Sequence, residues 1–536
     1  MTTSLQRPIP IEPYKGLFDK LIIGFLFVHL IFFLLNWYNY PTELDTPYHL
    51  LMGKMFADHG RIMFWDSYQF APIGRPNLYP PLEHILVWFA HSLTGLMYMD
   101  IGRVIVILQL ISGLILIALF TRKLFGSRIA FFALVFFTSS TECWWWQTAV
   151  APAALIVVFF WPTIYFYYKK SILIPTLFLT ASLYLNYGLS FTLIVTMFLA
   201  MILRREYRKT YFLNFLIIVS ASVLLFSPWI YHISLYKEYF LGSISPKKIK
   251  ALELFSTEIF FPEIFLNLNV FLWLFSLSGL VAVIAKIKLD FKYALLAAGF
   301  WSYFIFLFLF NGTRFNAHFP VVLCVLAAIG CARFMDNLKN IKNARLEEIF
   351  RKVFVAIILF TVFFEVHILT PRLLELNSKN IDFMGLEMSD VFFRKTPLLN
   401  EIVSISAGMP LEGKHAVRIQ RFFTYPSTVT LLKYIHDNID KNEIIHIENG
   451  AVAALITLTT ERRTDWGMYW ETVTPEMMRQ ITANKRFGYY VSPVENFTNL
   501  LPQDYLDKKI YPKVIEKAGV YNIGYLPKTG QERAGF

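Results

Sequence analysis

Long apolar runs alternate with short polar breaks over the first 371 residues, and the alternation stops there. A helix that crosses a bilayer needs about 20 mostly apolar residues, and its backbone must satisfy itself because lipid offers no partners. The pattern predicts spans near 17–38, 103–121, 128–140, 149–168, 171–185, 188–203, 210–232, 266–286, 292–310, 318–335 and 350–371. The runs at 128–140 and 171–185 are shorter than a straight crossing requires. Beyond Pro371, strand-like pieces (EIIHIENG, FGYYVSP, VYNIGYL) alternate with helix-like ones (TVTLLKYIHDNI, TPEMMRQITANK). That alternation predicts a small α/β domain. The expected architecture is a polytopic α-helical membrane protein. A transmembrane domain over 1–371, with a large first external loop at 39–102, precedes an external soluble α/β domain over 372–536.

Composition agrees with the pattern. Of 536 residues 56% are hydrophobic and only 16% charged, against about 25% charged in an ordinary soluble domain. The net charge of +12 would suit nucleic acid if it were gathered on one face. Instead it falls in the short loops TRKLFGSR (121–128), YYKKS (167–171), RREYRK (204–209), KIKLDFK (286–292) and RFMDNLKNIKNAR (333–345). Basic residues in short loops mark the cytoplasmic side. The charge therefore reads as topology, with a cytoplasmic N-terminus, an external or lumenal C-terminal domain and no nucleic-acid partner. Residues 1–16 are polar and the run after them is long enough to span, so it reads as an anchor rather than a cleaved signal. Cys143, Cys324 and Cys331 lie in or beside apolar runs without disulfide or zinc spacing.

On the external side, separate segments carry Asp45, Glu142, Glu258 and Arg314. One carboxylate at the end of a span is ordinarily a solvated loop residue. Three from separate loops at one membrane face suit a hard divalent cation such as Mg2+ or Mn2+, which takes oxygen ligands and leaves room for a phosphate. Arg314 fits the phosphate itself, because its planar fork meets phosphate oxygens bidentately. Trp144, Trp145 and Trp146 read as an interfacial aromatic belt.

Four segments, in order along the chain, carry a family resemblance. DTPYHLLMGKMFADHGRIMFWDSYQFAPIGRPNLYPPL resembles the first external loop of the catalytic subunit of oligosaccharyltransferases, membrane glycosyltransferases of the GT-C class. Asp45, Tyr48, His49, Gly60, Pro72, Gly74, Pro80 and Pro81 stand at its characteristic positions. LFSTEIFFPE resembles the family's short Ser/Thr-rich motif ending in Glu, here Glu258. NGTRFNAHFPVVLCVLAAIG resembles the Arg-Phe segment that opens a late span, with Arg314 as its arginine. IENGAVAALITLTTERRTD resembles the region around the Trp-Trp-Asp-Tyr-Gly motif.

The resemblance implies a GT-C-like bundle of about 11 to 13 spans that moves a sugar or oligosaccharide from a polyprenyl-phosphate or pyrophosphate donor to a protein or glycan acceptor. It implies Asp45, Glu142 and Glu258 as metal ligands, with Asp45 and Glu258 also handling the acceptor's nucleophile. Arg314 falls on the donor phosphate, and His49, Tyr79, His84 and Glu448 are further candidate substrate contacts. Two departures are visible. SSTECWWWQTAV carries Glu142 alone where the family has an acidic pair, and the Trp-Trp-Asp-Tyr-Gly position is occupied by His446-Ile447-Glu448-Asn449-Gly450. Three other readings stay open: a GT-C monosaccharide transferase acting on glycan, lipid or hydroxyl acceptors, a non-catalytic paralogue, and a transporter.

Overall fold

The computed structural model describes residues 15–35, 45–140, 147–239, 270–309, 318–338, 345–354, 426–447, 449–468, 473–484, 488–492, 503–508, 511–518 and 521–526, with a few single positions between them. Glu142, Glu258, Arg314 and Glu448 lie outside the described residues, as does most of the expected span at 350–371.

The apolar runs fold as helices close to their expected bounds: α1 (Lys15–Leu35), then, after the first external loop, α4 (Tyr98–Phe125), α5 (Ser127–Thr138), α6 (Pro152–Tyr168), α7 (Leu173–Leu185), α8 (Tyr187–Leu203), α9 (Arg208–Leu235), α10 (Val270–Lys286), α11 (Phe291–Leu309) and α12 (Pro320–Leu338). The loop itself contributes α2 (Thr46–His59) and α3 (Leu82–Thr94). Among the described residues four helices, Gly16–Leu34, Tyr98–Phe125, Tyr211–Leu235 and Pro320–Leu338, are long and apolar enough to cross a bilayer. The molecule is an integral membrane protein of bundled helices. The α12 helix is its central post, buried almost throughout from Pro320 to Ala332. The α1 helix instead turns Ile23, Phe27 and Val28 outward, which costs nothing against lipid tails as apolar as the side chains themselves.

Paired glycines allow a close crossing of α10 and α12. A Cβ on Gly279 of α10 would sit 1.8 Å from the Leu326 carbonyl oxygen of α12. One on Gly330 would sit 2.1 Å from the Phe275 carbonyl oxygen. Backbone meets backbone there, as small residues permit in membrane helices. Gly279→Ala is therefore expected to abolish recovery of monodisperse protein in detergent, whereas Gly24→Ala on α1, with nothing within 4 Å of its Cβ position, should be neutral. Equal yields would show that the helices can part without penalty.

The basic loops gather at one end of the bundle. Arg122 and Ser127 both bond Asp19 at the start of α1, and Arg128 pairs with Asp336 at 3.0 Å. Lys292 donates to the Leu124 carbonyl at 2.7 Å, and Arg204 caps the Ile287 carbonyl.

At the opposite end sits an α/β unit. Its five-stranded sheet has the order β4 (Arg463–Thr464), β3 (Ile444–Ile447), β5 (Gly488–Ser492), β7 (Tyr521–Leu526), β6 (Lys513–Ala518). The first three strands run parallel and the last two pair antiparallel. Helix α13 (Pro426–Asn438) packs Leu431 and Ile435 into its core, and α14 (Gly450–Thr460) adds Val452 and Ile456. The largely apolar α14 also reaches the other way, placing Ala454 and Leu458 in the core of the membrane bundle.

Candidate functional site

The site is built on the first external loop. Asp45 is the half-buried residue immediately before α2, and its carbonyl accepts the amides of Tyr48 and His49 at 3.1 and 3.2 Å. Its side chain does not cap the helix. Pro47 in the first turn suits a helix start, where a missing N–H is no loss. Gly60 ends the helix in the left-handed conformation at φ 63°, where a side chain would be strained.

The chain then forms a two-residue ladder, β1 (Trp65–Asp66) against β2 (Arg75–Pro76). Asp66 Oδ1 accepts the amides of Tyr68 and Gln69 at 3.0 and 3.2 Å, closing the turn. Gly74, at φ 73°, lies so close to Asp66 that a Cβ would be 2.4 Å from its carbonyl oxygen. Arg75 is buried against the ring faces of Phe70 and Tyr48, at 4.5 and 5.6 Å, and its Nε lies 3.6 Å from Asp66 Oδ2. The glycines and the turn of the resemblance thus serve to fold the loop that carries Asp45.

His49 and His84, expected as substrate contacts, are both fully buried and face each other, His49 Nδ1 to His84 Nε2 at 3.0 Å. Their rings are nearly coplanar with centres 5.3 Å apart, so the nitrogens meet end-on and one donates to the other. Tyr79, half-buried, stands edge-on to His49 at 4.9 Å. The pair packs inside the loop that Asp45 opens, with no exposed surface of its own. Burial holds the His84 imidazole neutral, with its pKa lowered to about 3.

Its neighbour Glu83 escaped notice in the sequence. Glu83 is fully buried, neither carboxyl oxygen has a hydrogen-bond partner among the described residues, and burial raises its pKa to about 8. The folded chain therefore keeps this proton up to about pH 8, while the unfolded chain releases it near the ordinary value of about 4.3. Folding binds the proton across that window, so stability falls as pH rises through it. Glu83→Gln removes the titration. Its melting temperature should gain on wild type progressively between about pH 5 and 8, and a gap that stays constant with pH would contradict the assignment.

The second external segment is tied to the first. Gln147 is helical, residues 148–151 are not, and all five are buried between α5 and α6. Thr46 Oγ1, one residue after Asp45, accepts the Val150 amide at 3.1 Å. Gln109 of α4 donates its side-chain amide to the carbonyls of Gln147 and Ala149, both at 2.7 Å.

The α/β unit docks on the same loop. The Ala71 amide donates to the Thr464 carbonyl at 2.9 Å and the Thr464 amide to the Tyr68 carbonyl at 3.3 Å. Lys54 of α2 meets Glu461 at 3.5 Å, and Phe70 packs on Trp466. In HIENG, His446 Nδ1 and the Ile447 amide both bond the Asp465 carboxylate at 3.0 Å. His446, Ile447 and Asp465 are all buried. Asn449 caps α14, its side-chain oxygen accepting from Ala451 and Val452. The described part of this segment is thus a strand-to-helix junction closed on itself.

No protein-family model and no curated protein matches the chain. Solved structures do. The archaeal oligosaccharyltransferase AglB from Archaeoglobus fulgidus, in complex with an inhibitory peptide and a dolichol-phosphate, is 12% identical with a TM-score of 0.56, over 97% of this chain and 75% of that one. Another structure of the A. fulgidus oligosaccharyltransferase, with zinc and sulfate, is 13% identical with a TM-score of 0.52 over 94% and 72%. ArnT from Cupriavidus metallidurans, bound to undecaprenyl phosphate, is 13% identical with a TM-score of 0.53 over 95% and 97%.

The chain has the GT-C fold. Identities this low establish the shared architecture alone. Within that GT-C architecture the first external loop, the bundle and the C-terminal unit form one connected chain of contacts, with Asp45 at the junction of the first loop and the second.

Proposed function

We propose that the protein transfers a sugar or oligosaccharide from a polyprenyl-phosphate or pyrophosphate donor to an acceptor at the external membrane face. The observation that carries the reading is a GT-C fold, shared with AglB and ArnT structures that hold dolichol-phosphate and undecaprenyl phosphate, in which Asp45 opens the first external helix. Asp45 is the group assigned to bind or deprotonate the acceptor's nucleophile, with Glu258 as its partner in that role. Arg314 is assigned to the donor phosphate, whose developing charge an electrostatic partner stabilises.

A divalent cation fits this chemistry. Asp45 supplies a hard oxygen ligand, and the Thr46–Val150 bond draws the segment after Glu142 toward it. Among the described residues no group of three metal-ligating side chains occurs. Glu142 and Glu258, outside them, are the further ligands proposed. When bound, the cation would neutralise negative charge on the departing phosphate.

The closed HIENG junction favours a glycan, lipid or hydroxyl acceptor over an Asn-x-Ser/Thr peptide, because His446 and Ile447 turn inward on Asp465. Incubating membranes that contain the protein with labelled lipid-linked donors, and scoring which class of molecule receives the label, tests both transfer and acceptor. Label in Asn-linked glycopeptide would overturn the acceptor preference, and label transferred nowhere would overturn the reading.

The basic end of the bundle supports a cytoplasmic N-terminus with the α/β unit outside. A cysteine introduced at Lys414 should react with an impermeant thiol reagent in intact cells. Reaction only after permeabilisation would invert the orientation and put the acids on the wrong face.

A further inference from the structure

We infer that Gln109 and Thr46 act together as a positioning clamp that ties residues 147–150 to the residue after Asp45 and so fixes where Asp45 stands, an inference that rests on the glycosyl-transfer reading. Gln109 stands on α4 about 16 Å from the helix start at 1.5 Å per residue, inside one of the span-length helices, and it is 1% exposed. A polar amide at such a position is costly unless its hydrogen bonds are made. Both groups that its nitrogen meets are carbonyl oxygens, Gln147 and Ala149 at 2.7 Å each, so the nitrogen faces them and both of its N–H groups are used.

One carbonyl belongs to the helical Gln147, just before the break, and the other to Ala149 in the non-helical stretch after it, both buried. Non-helical backbone at membrane depth persists only where protein supplies its partners, and a single side chain here supplies two. The third tie is Val150, whose amide donates to Thr46 Oγ1 and whose Cγ2 lies 3.4 Å from the Cβ position of Gly102 on α4. Gln147 closes the far side by donating its own amide to the Ala154 carbonyl of α6 at 3.3 Å. Residues 147–150 are thereby held at both ends, by α4 and by the residue that follows Asp45. Thr46 follows Asp45 directly, so the clamp fixes the start of the helix that Asp45 precedes.

The clamp makes no claim on substrate. Its consequence is geometric: about 1 Å of misplacement of a catalytic group costs about 10²-fold in rate. Gln109→Met keeps the size of the side chain but removes both donors, and Thr46→Val removes the third acceptor with almost no change in shape.

Three readouts separate the possibilities in purified full-length protein. Hydrogen exchange at residues 147–150 should accelerate in both variants while melting temperatures stay close to wild type. Turnover should fall about 10²-fold in Gln109→Met, and by less in Thr46→Val, with the KM for lipid-linked donor changed by no more than about threefold. Binding of Mn2+, read directly by electron paramagnetic resonance, should weaken about tenfold in Gln109→Met. Unchanged exchange in both variants would refute the clamp itself, whatever the activity. Faster exchange with wild-type turnover and Mn2+ affinity would reduce it to a structural tie and refute the positioning role. Wild-type protein that neither turns over donor nor takes up Mn2+ would refute the transfer reading and the positioning role with it, while exchange still reports on the clamp.

Discussion

Asp45→Asn should lose about 10²–10³ in transfer rate, the scale on which removing one electrostatic stabiliser acts, while the protein still purifies as wild type. The argument for the rate rests on placement. Asp45 directly precedes α2, the position at which the proposed reaction places the lipid-linked donor, and its side chain is not spent on capping the helix. The argument for retained folding rests on the backbone. The Asp45 carbonyl, which the substitution leaves in place, accepts the Tyr48 and His49 amides that start the helix. Asn is itself a favoured residue at that position. Turnover per folded molecule, with the melting temperature measured on the same sample, separates the two effects. Wild-type turnover in Asp45→Asn would move the protein to the transporter or non-catalytic class.

Arg75→Met should be the most destabilising single change in the loop. It leaves Asp66 fully buried with its counter-charge gone. Breaking one side of a buried ion pair costs about 3–5 kcal/mol. Burial already raises the Asp66 pKa and Arg75 works against that rise, so without the arginine the carboxyl holds its proton to higher pH. Its folded pKa lies above its unfolded one, and stability is lost as pH rises through the gap. The defect should be largest near neutrality and shrink in acid. Arg75→Met with Asp66→Asn should be less destabilised than Arg75→Met alone. Melting curves of detergent-purified protein between about pH 5 and 8 report both effects. A pH-independent loss, or a double variant worse than the single, would show that Arg75 acts through packing rather than charge.

The bundle was legible because hydrophobic length is a nonlocal signal that survives any sequence drift. Ten helices, from α1 to α12 with the two loop helices set aside, fall close to their expected bounds. In the C-terminal unit, β3, β5 and β7 were visible as β-branched and aromatic runs. Other elements are not. The short β4 is too brief to show a period, and β6, reading KVIEKA, turns five of its six residues outward. The α14 helix was taken as part of a motif, although its apolar GAVAALITLTT follows from burial on two sides, against its own sheet and against the bundle.

In the site, Asp45 stood out because an acid directly after a span is conspicuous. His49 and His84 were visible as residues, but nothing in a spacing of 35 positions indicates that they face each other. Asp66, Arg75, Glu83 and Gln109 passed unnoticed for the same reason. Each is a polar group whose role depends on a partner brought in by the fold, and sequence periodicity carries no record of such partners.

The central claim is glycosyl transfer from a polyprenyl-phosphate carrier, and the most direct test follows the carrier. Purified protein is mixed with a polyprenyl-phosphate donor labelled in its sugar, with Mn2+ and an acceptor fraction from the same membranes. Wild type should release unlabelled polyprenyl phosphate in step with label appearing on the acceptor, and Asp45→Asn should do neither above background. Donor left intact by wild-type protein, or consumed equally by Asp45→Asn, would contradict the account.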